Sequence, residues 1–129
     1  GIAVYGDKLY FAGGIDLNRQ KSDIVDVYDT ATLVWSSFKI PTARDNIEVV
    51  SVGSFVLFAG GTTTTGQHNK VDILNLDTAT VRTMDLPSIS FTITNSLVMG
   101  SQAIFYGKDN STIIVINPTE HTYSEISTL

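Results

Sequence analysis

The chain repeats itself, and no other feature restricts its fold as strongly. The stretch Ala3-Val4-Tyr5-Gly6-Asp7-Lys8-Leu9-Tyr10-Phe11-Ala12-Gly13-Gly14 returns as Val50-Ser51-Val52-Gly53-Ser54-Phe55-Val56-Leu57-Phe58-Ala59-Gly60-Gly61. It returns again, weaker, as Leu97-Val98-Met99-Gly100-Ser101-Gln102-Ala103-Ile104-Phe105-Tyr106-Gly107-Lys108. Gly6, Gly53 and Gly100 are 47 residues apart, as are Gly13, Gly60 and Gly107. A period of that size marks stacked supersecondary units, each burying an apolar face on its neighbour. A second block follows each copy. Val25-Asp26-Val27-Tyr28-Asp29-Thr30-Ala31-Thr32 is matched by Val71–Thr80 over its Asp-Thr-Ala-Thr ending, which aligns Asp29 with Asp77. In the third copy the equivalent is Ile114-Val115-Ile116-Asn117-Pro118-Thr119.

The units are built of strands. Thr, Val and Ile account for 41 of 129 residues, and β-branching suits a pleated surface better than a helix. Apolar runs are short and stop at Gly, Asn, Asp, Ser or Thr. One segment, Ile24–Val34, also fits a helical i, i+3, i+4, i+7 template. Its third copy carries Pro118 where such a helix would have to continue, at a cost of about 3 kcal/mol. Each copy therefore reads as strands a to d: Ile2–Tyr5, Leu9–Gly14, Ile24–Asp29 and Val34–Phe38; then Ile47–Val52, Phe55–Gly61, Val71–Leu76 and Val81–Met84; then Ile93–Met99, Gln102–Gly107, Thr112–Ile116 and Tyr123–Ile126. The a–b links are tight hairpins in which Gly supplies φ > 0. The expected fold is all-β, with three four-stranded antiparallel units at about 1–46, 47–90 and 91–129.

The pattern resembles the kelch repeat, whose blade carries a double Gly after a hydrophobic strand, then Tyr-Asp, then a Trp six residues past the Asp. The first unit has Gly13-Gly14, Tyr28-Asp29 and Trp35, with Pro41 and Arg44 ahead of the next strand a. The second keeps Gly60-Gly61 and Asp77, with Leu76 and Thr83 at the Tyr and Trp positions. The third keeps Gly107, with Ile116-Asn117 for Tyr-Asp and Tyr123 for Trp. The resemblance implies a kelch-type β-propeller. Such propellers close with six or seven blades, and three would leave two apolar faces open. A partial propeller continued by further blades, half of a six-bladed ring closed by a second copy, and an open-ended stack all answer that difficulty. The absent initiator Met and abrupt ends suggest a mature, trimmed or excerpted chain.

Composition closes several functional classes. Thirteen acidic against eight basic residues give a formal net charge of −5, with no footprint for nucleic acid or an anionic membrane. No uncharged apolar run approaches the roughly 20 residues of a membrane span. The chain has no Cys, which excludes disulfides, zinc-thiolate sites and the cysteine-crosslinked tyrosine radical of the copper oxidase in the kelch family. Gly61–His68 has the GxxxxG frame of a P-loop but lacks its Lys and helix, so it reads as a flexible b–c loop. His68 and His121 are too far apart for metal-ligand spacing and read as surface loop or turn residues. Asp26, Asp29, Asp72 and Asp77 read as solvated or turn-capping. Asn110-Ser111-Thr112 is a glycosylation sequon, relevant only in a secreted chain. No catalytic residue, metal site or cofactor is expected.

Loop recognition remains. In an abcd meander the b–c and d–a connections emerge on one face, where kelch propellers commonly engage a partner. That face would carry Ile15–Asp23, Thr62–Lys70, Lys39–Asn46 and Pro87–Phe91. Two of these loops exceed what hairpin closure needs. Arg19, Arg44, Asp45, Gln67, His68 and Asn69 are the candidates for reading an acidic or polar peptide, making the chain a non-catalytic interaction module. The alternative is a carbohydrate-binding or carbohydrate-active domain using Asp45 and Glu48 with Phe91 as a platform.

Overall fold

The computed structural model describes residues 1–86, 92–107 and 112–127, and over these the chain is all-β with no helix. Phe91, the 87–91 link and Asn110 lie outside the described residues. Three antiparallel four-stranded sheets follow one another along the chain. Sheet 1 is β1 (Ile2–Tyr5), β2 (Lys8–Ala12), β3 (Ile24–Asp29) and β4 (Val34–Lys39). In sheet 2, β5 (Glu48–Val52) and β6 (Phe55–Ala59) are followed by a small hairpin, β7 (Thr62–Thr63) and β8 (Gly66–Gln67), before β9 (Lys70–Asn75) and β10 (Thr80–Asp85). Sheet 3 is β11 (Ile93–Met99), β12 (Gln102–Gly107), β13 (Thr112–Asn117) and β14 (Thr122–Ser127). The segment with the helical template is thus two strands, paired Tyr28 to Trp35 and Asp29 to Val34. The P-loop-like frame is the β7–β8 hairpin.

The registers show which residues are equivalent. Phe11 opposes Asp26, Phe58 opposes Asp72 and Phe105 opposes Ile114. Asp26, Asp72 and Ile114 therefore hold the same place, and so do Asp29, Asn75 and Asn117. The turns agree. Asp29 Oδ1 accepts from the N–H groups of Ala31 and Thr32, Asn75 Oδ1 from those of Asp77 and Thr78, and Asn117 Oδ1 from that of Glu120. The alignment of Asp29 with Asp77 is corrected by two residues: Leu74-Asn75 stands where Tyr28-Asp29 does, and Val81, not Thr83, stands where Trp35 does.

Sheet 2 lies between the other two. Its Val49, Val56, Phe58 and Leu74 join Ala3, Tyr10, Ala12, Val25 and Val27 of sheet 1 in one core. Its Val52, Leu57, Ala59, Val71 and Ile73 join Ala103, Phe105, Ile114 and Ile116 of sheet 3 in another. Burial on both faces explains the sequence: Val56, Leu57, Phe58 and Ala59 are buried without a break, whereas β3 alternates. The inner strands β1, β5 and β11 lie side by side across the three sheets. The far faces of sheets 1 and 3 are open. On sheet 1, Trp35 meets Tyr28 (centroids 4.7 Å apart) and Phe11 (5.8 Å) at tilted angles while itself 60% exposed.

Candidate functional site

The segment 40–47 between sheets 1 and 2 organises one end of the molecule. Its backbone is stitched to loops on both sides. Ile40 N–H donates to Asp23 O and Arg44 N–H to Ser22 O, while Asp45 and Thr62 exchange both their N–H···O bonds. Glycine makes this approach feasible. A Cβ on Gly61 would lie 2.5 Å from Asp45 O, and one on Gly13 2.8 Å from Arg44 O; both residues have positive φ.

Beneath this segment Arg44 is fully buried. Its Nε donates to Gly60 O (2.8 Å), Nη1 to Thr42 O (2.9 Å) and Nη2 to Phe58 O (3.1 Å). Nη2 also lies 2.9 Å from Asp72 Oδ2, an ion-pair contact not aligned as a hydrogen bond. Asp72 Oδ1 accepts from Thr83 Oγ1 at 2.7 Å. Burial pushes the Arg44 pKa down and Asp72 pushes it back up; a guanidinium stays charged throughout. Arg44 thus clasps β6 and β9 to the link and has no surface left for a partner. The sequence reading of Arg44 as an exposed contact, and of Asp72 as a solvated carboxylate, gives way to this buried pair.

Above it opens a cleft of about 670 Å³, lined by Gln20, Lys21, Pro41, Thr42, Ala43, Thr63, Thr64, Thr65, Gln67, His68, Asn69 and Lys70. Gln67, His68 and Asn69 are brought together on one wall. Asp45 does not line the cleft but holds Lys21, which does, by a 2.7 Å ion pair. Arg19 does not reach the cleft. It sits exposed, with φ 60°, in a tight turn whose Asp16 carboxylate accepts from the N–H groups of Asn18 and Gln20. The loop 15–21 is therefore a closed, ordered turn, with Ile15 bridged to Lys21. Glu48 accepts from Ser96 Oγ at 2.6 Å, away from the cleft lining. The described residues hold no group of three potential metal ligands, and no described helix is long and apolar enough to cross a membrane.

His68 is 8% exposed rather than a surface residue. Its Nε2 and the Oδ1 of Asn69 are buried with no protein hydrogen-bond partner. Burial first, then Arg44, lowers the His68 pKa below its ordinary 6.5, so the fold favours the neutral ring. Its contribution to stability is complete above about pH 6.5 and is lost as pH falls through the depressed folded value. The melting temperature should therefore drop as pH falls below about 6.5. His68→Gln should flatten that slope more than His121→Gln, whose ring is lowered by lesser burial and by Arg82. An unaltered slope in His68→Gln would contradict this assignment.

No protein-family model matches the chain, and no curated protein matches it either.

Proposed function

We propose that the chain is a non-catalytic interaction module of kelch-type propeller blades, and that it binds a protein or peptide segment in the cleft between sheets 1 and 2. The observation that carries this reading is the cleft itself. Its lining is rich in hydroxyl and amide side chains, and its floor is a link fixed by backbone bonds and the buried Arg44–Asp72 pair. Two buried polar atoms, His68 Nε2 and Asn69 Oδ1, lack protein partners on residues of its wall. A fixed floor keeps the loops in place before a ligand arrives, which lowers the ordering cost of binding. The kelch reading is supported by three meanders with their inner strands side by side.

Panning a random peptide library on the intact chain tests the reading. The selected peptides should lose capture by roughly tenfold or more, about 1.4 kcal/mol, on Thr64→Arg. This change fills the cleft mouth from an exposed turn and leaves the ion pair alone. Peptides indifferent to Thr64→Arg would place recognition elsewhere.

A further inference from the structure

The two open faces are the two halves of a contact that the chain already makes twice. The repeat spacing and the registers equate Leu9, Val56 and Ala103, and likewise Phe11, Phe58 and Phe105. Val56 and Phe58 pack against sheet 1, and Ala103 and Phe105 against sheet 2. Leu9 and Phe11 hold the same place on sheet 1, on its open face with Ile2, Val4, Ile24 and Trp35. In the other direction, Tyr10 packs on sheet 2 and Leu57 on sheet 3. Their counterpart Ile104 lies on the open face of sheet 3, with Leu97, Met99, Tyr106 and Ile126.

Exposure agrees with this equivalence. Ile2 is 61% exposed and Met99 62%. The total surface of 7253 Å² exceeds the roughly 6,700 Å² of a compact monomer of this size. Every molecule thus offers both sides of an interface whose geometry its own sheets already display.

We propose that a second copy of this chain covers these faces head to tail, the open face of sheet 3 in one copy packing on the open face of sheet 1 in the other. The proposal is independent of the cleft and its ligand. Made reciprocally, the two contacts relate the copies by a two-fold axis; made singly, they propagate an open chain. Asp26 sits on the sheet 1 face at the place that Asp72 occupies in sheet 2. There Arg44 neutralises the carboxylate, whereas the open face of sheet 3 presents no charged side chain among Leu97, Met99, Ile104, Tyr106, Ile113 and Ile126. Asp26 therefore opposes the contact and limits its strength.

Light scattering on the intact chain at micromolar concentration should give a mass above that of the monomer. Trp35→Asp and Leu97→Asp each place a charge on one face. Trp35 corresponds to Val81, which packs against the core between sheets 1 and 2, and Leu97 to Val50, which packs against the other. Each variant alone should self-associate at least tenfold more weakly, while an equal mixture forms a one-to-one complex through the two intact faces. Circular dichroism and melting of each variant keep misfolding apart from lost association. Asp26→Asn should tighten the wild-type contact. A monomeric wild type would overturn the proposal, and so would a folded single variant that still pairs with itself as wild type does. Weaker association on Asp26→Asn would also overturn it, because a carboxylate that strengthens the contact cannot be facing the uncharged open face of sheet 3.

Discussion

Arg44→Met is expected to lower the unfolding free energy by about 3–5 kcal/mol, because it leaves the Asp72 carboxylate buried without its cation. It also strips three donors from Gly60 O, Thr42 O and Phe58 O. For a chain of this size the melting temperature should fall by about 10–20 °C. The double variant Arg44→Met with Asp72→Leu should recover part of that loss, since an apolar pair of similar volume replaces the stranded charge. Sheet 3 already has Ile114 at the Asp72 position, fully buried. A single Arg44→Met variant that melts within about 2 °C of wild type would show that the guanidinium does not hold the link to sheet 2. Equal melting of the single and double variants would show that Asp72 is not stranded by the change.

Phe58→Ala should cost about 3–5 kcal/mol, and Trp35→Ala much less. Phe58 is fully buried and meets Phe38 edge-on at 6.1 Å, at the centre of the core between sheets 1 and 2. Its loss leaves a cavity that two sheets, each pinned by its own ladder, cannot collapse to fill. Trp35 is the larger side chain and the more prominent landmark in the sequence. Its ring nonetheless contacts only Tyr28 and Phe11 among the described aromatic side chains, on a face that is open in the isolated chain. Urea unfolding of both variants at a dilution where the chain is monomeric checks the ranking. A Trp35→Ala loss equal to that of Phe58→Ala would mean that the sheet 1 face is structurally closed in the monomer.

Strand positions were legible because they follow from local chemistry. Gly at the a–b hairpins, β-branched runs and stop residues all act within a few positions of where they stand. Register was less legible. Asp-Thr-Ala-Thr occurs at both 29–32 and 77–80, yet the turn cap in the second unit is Asn75. A four-residue similarity cannot report a two-residue phase shift, whereas the ladder between β6 and β9 can. The buried ion pair was not legible. Arg44 comes from a link and Asp72 from a strand 28 positions later, and nothing near either residue names the other. Asp72 did carry one clue, a carboxylate inside the apolar run Val71–Leu74. His68 was misplaced for a related reason. A histidine in a polar loop reads as solvated, but His68 N–H is bonded back to Gly61 O and the residue is buried.

The middle position of sheet 2 has a consequence for synthesis. A chain emerging at about 5–20 residues per second exposes its parts in order. Sheet 1 can pair its own strands as soon as it appears, since its hairpins are local. Sheet 2 then emerges with the unbroken apolar run Phe55–Ala59 bare on one side until residues up to Ser127 have followed. For those seconds the nascent chain displays an uncharged apolar sheet face, the kind of patch that recruits other chains. Truncation between sheets 2 and 3 would make that interval permanent, and such a product should aggregate or be captured by chaperones.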